Sequence, residues 1–158
     1  MNFYIKQKVF SFRDRFFIYD KEGKEKYYVE GEIFSFGKRL HLFEVGGKPI
    51  ADIIQKVFSF LPTFKIKTAE GASFEVVKHF TFFRHEYEAV PLGWLILGDF
   101  FDHSYEISNG ERTIVRVSKE WFTFGDAYQI SVDDDIDEIS ALASVLVIDA
   151  CIEQQESY

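Results

Sequence analysis

The sequence holds one cysteine, three prolines and one methionine in 158 residues. A single cysteine, Cys151, excludes an internal disulfide framework and any all-cysteine metal site. The chain begins Met1-Asn2-Phe3-Tyr4-Ile5-Lys6, with no basic segment leading into an apolar one. No secretory signal is therefore expected, and a reducing, cytoplasmic location is. Long apolar runs are missing too. The longest covers residues 139–152 and is broken by Ser140, Ser144 and Asp149. As a helix it would rise only about 21 Å, against the ~30 Å hydrocarbon core of a bilayer, so it reads as a buried core helix and no membrane span is expected. Gly-rich phosphate loops and zinc-ligand spacings are absent, and no cofactor is implied.

Charge of one sign is also scarce over part of the chain. The net charge is −8, and no Lys or Arg follows Lys119. The acidity gathers in residues 120–158, at Glu120, Asp126, Asp133, Asp134, Asp135, Asp137, Glu138, Asp149, Glu153 and Glu156, leaving the rest nearly neutral. An acidic chain is a poor grip for nucleic-acid backbones, so no nucleic-acid partner is expected. A near-neutral body still leaves room for a membrane-facing patch.

What the sequence has in abundance is aromatic side chains: 19 Phe, 8 Tyr and 2 Trp, 18% of the chain. They are periodic. Phe-Ser-Phe occurs at 10–12, 34–36 and 58–60, and Gly23, Gly47 and Gly71 keep the same spacing. A looser template extends the pattern to six units: a Phe, an aromatic or Leu four later, and a small or aliphatic residue six later. The units are Phe12/Phe16/Ile18, Phe36/Leu40/Leu42, Phe60/Phe64/Ile66, Phe83/Tyr87/Ala89, Phe101/Tyr105/Ile107 and Phe124/Tyr128/Ile130.

In a strand the fourth and sixth positions share a face. The residues between them, His41, Lys65, Glu88, Glu106 and Gln129, are polar, Phe17 being the exception. Turns with Gly are expected at 20–23, 45–47, 69–71 and 108–110. Each unit then supplies two antiparallel strands, and six supply about twelve. A meander that long tends to close, because closure removes exposed edges. A closed barrel of about twelve strands is too wide for its own side chains to fill. The apolar segment after the acidic run 133–138 is the candidate plug, since a helix apolar all round must be buried on every side. The expected architecture is thus all-β with one helix: a single domain over 1–158, strands over about 3–132, a central helix over about 136–153 and a short tail at 154–158. Phe12, Phe36, Phe60, Phe83, Phe101 and Phe124 are assigned structural roles as template positions, and Val145 and Ile148 as helix core.

The segments Lys6-Gln-Lys-Val-Phe-Ser-Phe12, Asp14-Arg-Phe16 with Ile18-Tyr-Asp20, Gly98-Asp-Phe-Phe-Asp-His103 and Lys119-Glu-Trp-Phe122 resemble the LURP-one-related family. The resemblance spans roughly residues 3–153. That family is similar in fold to the tubby C-terminal domain and to phospholipid scramblases. The resemblance therefore implies a tubby-like barrel and a binding role. Tubby-like domains bind membrane phosphoinositides, and scramblases are associated with calcium and lipid movement. It carries no lipid-contact residue onto this chain, which lacks a matching basic motif, and it implies no particular activity.

Candidate chemistry is sparse. Asp99, Asp102 and His103 form the strongest enzyme-like cluster, with His79 and His85 elsewhere. An Asp-His pair could seed a general base or a metal site. The pair falls, however, where other units place a polar inter-strand corner. An EF-hand loop counted from Asp133 fails, because position six is Glu138 and position twelve is Ser144; the run reads as a helix cap. Cys151 reads as a buried, inert thiol. Lys65 and Lys67 on one strand, with Lys38 and Arg39 at a corner, make the candidate anion or lipid-phosphate patch. The leading expectation is a non-enzymatic tubby-like binding or scaffolding module with a protein or lipid-headgroup partner. Peripheral anionic-lipid or phosphoinositide binding comes second, and an enzyme at Asp102/His103 third.

Overall fold

Alternation of apolar and polar residues, with Val, Ile, Tyr and Phe on one parity, is what a pleated surface with one buried face selects. The computed structural model describes residues 1–6, 15–34, 37–80, 85–120 and 127–156. The expected template positions Phe12, Phe36, Phe83 and Phe124 lie outside the described residues. Twelve strands are described in chain order: β1 (Asn2–Lys6), β2 (Phe16–Tyr19), β3 (Glu25–Phe34), β4 (Gly37–Glu44), β5 (Pro49–Gln55), β6 (Thr63–Thr68), β7 (Ser73–Phe80), β8 (His85–Val90), β9 (Trp94–Asp99), β10 (Ser104–Ser108), β11 (Thr113–Glu120) and β12 (Ala127–Val132). Each pairs antiparallel with its chain neighbours, and β1 closes the barrel on β12, from Asn2 opposite Ser131 to Lys6 opposite Ala127.

The repeat sets the inner face. Ile18, Leu40 and Leu42, Phe64 and Ile66, Tyr87 and Ala89, Tyr105 and Ile107, and Tyr128 and Ile130 are all buried. Only Phe16 among the fourth and sixth positions is half-buried. The turns at 20–23, 45–47, 69–71 and 108–110 form as expected. Gly23 and Gly71 take φ of +79° and +100°, a conformation a side chain rarely adopts.

Helix α1 (Glu138–Glu156) fills the lumen. Asp137 caps it, its carboxylate accepting from the Ser140 N–H at 3.3 Å and the Ser140 hydroxyl at 2.6 Å. Every residue from 140 to 148 is buried, so the helix has no solvent face over that span. Val145 and Ile148 lie in the same apolar cluster as the inward strand residues. Ala141, Ala143 and Ala150 are wholly buried, and their small side chains let the wall approach the helix.

The barrel has two unlike rims. At one, the helix enters beside the β2–β3, β4–β5, β6–β7 and β10–β11 turns. Asp20, Glu22, Glu44, Glu70, Asp134 and Asp135 gather there. At the other, where the helix ends, lie the β5–β6 and β9–β10 connections, and these carry phenylalanine.

Candidate functional site

The phenylalanine-bearing rim is built from two ordered connections. In the β5–β6 connection the Lys56 N–H donates to Thr63 O at 2.8 Å, and the Lys78 N–H of β7 donates to Pro62 O at 2.9 Å. The Ser59 and Thr63 hydroxyls both donate to Leu61 O, at 2.7 and 2.8 Å. Lys56 is ion-paired with Glu75. With polar groups turned inward upon the backbone, Phe58 and Phe60 face water, Phe58 being 98% exposed and Phe60 wholly so. Val57 stands beside them, also exposed.

Phe80, at the end of β7, is exposed and meets His85 edge-on at 5.6 Å between ring centroids. In the β9–β10 connection two adjacent phenylalanines part. Phe100 packs inward against Tyr87 and Tyr105, at 4.9 and 5.2 Å, while Phe101 turns to solvent. Phe60 and Phe101 therefore differ from the structural role expected of them. Strands β6 and β10 begin three residues after each, so the period-two rule that buries the fourth and sixth template positions does not reach the first.

Of the four basic residues of the expected anion patch, Lys38 is turned away from Arg39, Lys65 and Lys67, which share the outer wall. Lys38 is only 7% exposed and points into the barrel. Its ammonium donates to Ala150 O at 3.2 Å and to Glu153 Oε2 at 3.0 Å, so it serves the C-terminal end of the helix, which has no base in its own last turn. Arg39 lies on the outer wall opposite Glu32 and Ile54. Lys65 sits between Ile54 and Glu75, and Lys67 between Asp52 and Ser73. On this wall bases alternate with carboxylates across the strands, an arrangement that solvates a sheet more than it concentrates positive potential.

The Asp102–His103 corner divides. Asp102 stays outside, its carboxylate 3.3 Å from the Lys119 ammonium. His103 turns inside, at φ +50°, its ring stacked on Tyr128 with centroids 4.5 Å apart. Its Nε2 lies 3.7 Å from Asp149 Oδ1 on the helix. The Tyr128 hydroxyl donates to the other carboxylate oxygen of Asp149. Asp149 Oδ1 and Tyr105 Oη are buried without a hydrogen-bond partner among the described residues.

Burial pushes the Asp149 carboxyl up to about 7, the Tyr128 hydrogen bond opposing. It also pushes His103 down to about 4, with Lys119 adding to the fall and Asp102 opposing. At neutral pH this is a partly protonated acid facing a neutral imidazole. Both side chains are about nine-tenths buried. Two residues on, burial raises the Cys151 thiol to about 11, beyond the range of a reactive thiolate. No group of three or more His, Cys, Asp and Glu among the described residues could hold a metal ion.

Asp149 was visible in the sequence only as a break in an apolar run. A usable signal was present nonetheless. Tyr87, Tyr105 and Tyr128 all occupy the fourth template position, which faces the helix. Tyr87 and Tyr128 bring their hydroxyls to Cys151 and Asp149. No described helix is long and apolar enough to cross a membrane.

Fold and lumen together define a class: a closed twelve-stranded antiparallel barrel filled by its own C-terminal helix. The LURP-one-related family model matches residues 1–149, and the chain belongs to that family. Uncharacterized protein YxjI of Bacillus subtilis is 33% identical over 153 residues, covering 97% of this chain and 94% of that one. A crystal structure of an Arabidopsis thaliana protein shares the fold, with a TM-score of 0.62 at 13% identity over 93% of this chain and 87% of that one.

Proposed function

We propose that the protein is a non-enzymatic binding module of tubby-like architecture that docks on a membrane surface through its phenylalanine-bearing rim. The observation that carries this reading is the full exposure of Phe58 and Phe60 in a connection held by its own hydrogen bonds. Moving a phenylalanine side chain out of water is worth roughly 1.5–3 kcal/mol, so two ordered rings on one projection are a standing source of affinity. Phe80 and Phe101 widen the apolar rim. Apolar patches of this kind on a folded surface mark interaction sites.

Charge favours a bilayer in one orientation. Among the described residues at this rim, Arg15 pairs with Glu30, Lys56 with Glu75 and Lys119 with Asp102. The opposite rim carries more acids than bases, although Arg112 pairs with Asp133 and Asp135 there and Lys26 with Glu138. An anionic cytoplasmic leaflet would repel that end and accept the phenylalanine-bearing one. Affinity then comes from ring insertion, with charge setting orientation, and salt should weaken binding only slightly.

Flotation with phosphatidylcholine vesicles, with and without phosphatidylglycerol, tests this. Wild type should float with both, since ring insertion does not need anionic lipid. Phe58→Ser/Phe60→Ser should lose at least about 100-fold in affinity, at 1.4 kcal/mol per decade. Rim-dependent capture of a second copy or of another protein, with no flotation, would replace the membrane by a protein partner.

A further inference from the structure

Behind the Phe80 and Phe101 side of the rim, the outer wall is indented across β9, β10 and β11. Gly98 is among the residues that line it. It sits at φ +145°, and a Cβ there would stand 2.5 Å from Ser104 O and Tyr105 Cα, so no side chain fits. The depression, of about 650 Å³, is lined also by Leu97, Ser104, Glu106, Arg116 and Ser118, with His85 at its edge. Arg116 and Glu106 are cross-strand partners, Nε 3.6 Å from Oε1. The Thr113 hydroxyl donates to the other Glu106 oxygen at 3.1 Å, which steadies the carboxylate. A cation and an anion thus stand side by side, with two serines nearby, behind the exposed Phe80 and Phe101.

We infer that this depression takes a zwitterionic phosphodiester headgroup bearing a primary amine, the phosphate on Arg116 and the ammonium on Glu106. The inference rests on the membrane reading of the rim and adds a ligand to it. Depth agrees with this. β10 begins at the rim with Ser104, and Glu106 follows two residues later, about 5–7 Å behind it for a tilted barrel strand. Apolar faces that dock on bilayers reach about 5–10 Å into the headgroup and acyl boundary. With Phe101 at that boundary, Arg116 and Glu106 lie among headgroups.

The paired charges also choose between lipids. Inorganic phosphate or a phosphate monoester would meet Glu106 as a like charge. A glycerol headgroup would bring Glu106 no cation beyond Arg116. A choline headgroup offers a cation without N–H donors, whereas a primary ammonium donates charge-assisted hydrogen bonds to the carboxylate. The short bridge of an ethanolamine headgroup holds both charges close enough to span the Arg116–Glu106 pair.

The test compares flotation on phosphatidylethanolamine and phosphatidylcholine vesicles of equal phosphatidylglycerol content. Wild type should favour the ethanolamine vesicles by about fivefold, the upper range for exposed ion pairs. Glu106→Arg/Arg116→Glu keeps an ion pair but reverses it, and should abolish the preference. Phe58→Ser/Phe60→Ser should weaken binding to both vesicles and keep the preference. In parallel, soluble glycerophosphoethanolamine is titrated while the Gly98 and Ser104 amides and Arg116 Nε are followed by NMR. These should shift saturably, and with glycerophosphate they should not.

Equal binding to both vesicles with no shift at Gly98 or Arg116 overturns the headgroup site and leaves the rim reading standing. Saturable shifts without any vesicle binding keep the site and overturn the rim reading. Equal shifts with glycerophosphate overturn the role given to Glu106.

Discussion

Asp149→Asn should stabilise this protein, and the gain should depend on pH. In the folded chain the carboxyl is pushed up to about 7 from an ordinary 3.8, chiefly by burial. Between those values the folded state holds a proton that the unfolded state has released. The group's contribution is therefore most favourable below about pH 4, declines as pH rises to about 7, and is flat above. Three pH units correspond to about 4 kcal/mol, the cost of ionising this acid inside the barrel. Asparagine keeps the shape and an oxygen to accept from Tyr128, without the charge. The variant should equal wild type near pH 4 and exceed it by up to about 4 kcal/mol at pH 8, or roughly 10 °C in Tm for a domain of this size. Urea unfolding across this pH range measures it.

His103 makes the test sharper, because burial moves it the opposite way, down to about 4. Over pH 6.5 to 4 the unfolded imidazole takes up a proton that the folded one refuses, so acidification destabilises through this group. The two slopes oppose each other between pH 4 and 6.5 in wild type. Asp149→Asn should expose the histidine slope, with stability falling on acidification. His103→Gln should expose the aspartate slope, with stability falling as pH rises. A destabilised Asp149→Asn with no pH dependence would refute the reasoning. It would mean that Asp149 is ionised and held by its neighbours.

Lys38→Met should cost about 1–3 kcal/mol, because it leaves Ala150 O and Glu153 without their buried donor. Faster amide exchange confined to the helix C-terminal end would report it. Val145→Asp puts an unpaired carboxylate where the helix has no solvent face, and should abolish cooperative unfolding in circular dichroism; a folded variant of wild-type Tm would contradict the central placement of the helix. Gly98→Ala should destabilise by about 2 kcal/mol or more, since its Cβ meets the β10 backbone at 2.5 Å in a strained φ. Thermal unfolding would measure it.

Much of the barrel was legible in its repeat. The fourth and sixth template positions proved to be the lumen wall because alternation depends only on local sequence once strands form. Closure followed from strand number, and the plug from an apolar run with no polar face. The rim was harder to read. Phe60 precedes its strand, and periodicity is silent about side chains in a connection. Lys38 was legible in principle, since it shares the parity of Leu40 and Leu42 and so points inward. Its charge argued for solvent, and only the helix end on Ala150 and Glu153 explains why it can lie inside. Asp149 needed a partner distant in sequence, Tyr128, which no local pattern reveals. The Arg116–Glu106 depression depends on cross-strand register, which is not a motif.

The central claim is that the phenylalanine-bearing rim enters a bilayer. Phe60→Trp, compared with wild type to remove the signal of Trp94 and Trp121, tests it directly by fluorescence with phosphatidylcholine and phosphatidylglycerol vesicles carrying brominated acyl chains. Insertion predicts a blue-shifted emission and strong quenching by bromines near the headgroup boundary. Emission unchanged and unquenched, under conditions where the protein floats with the vesicles, would contradict it.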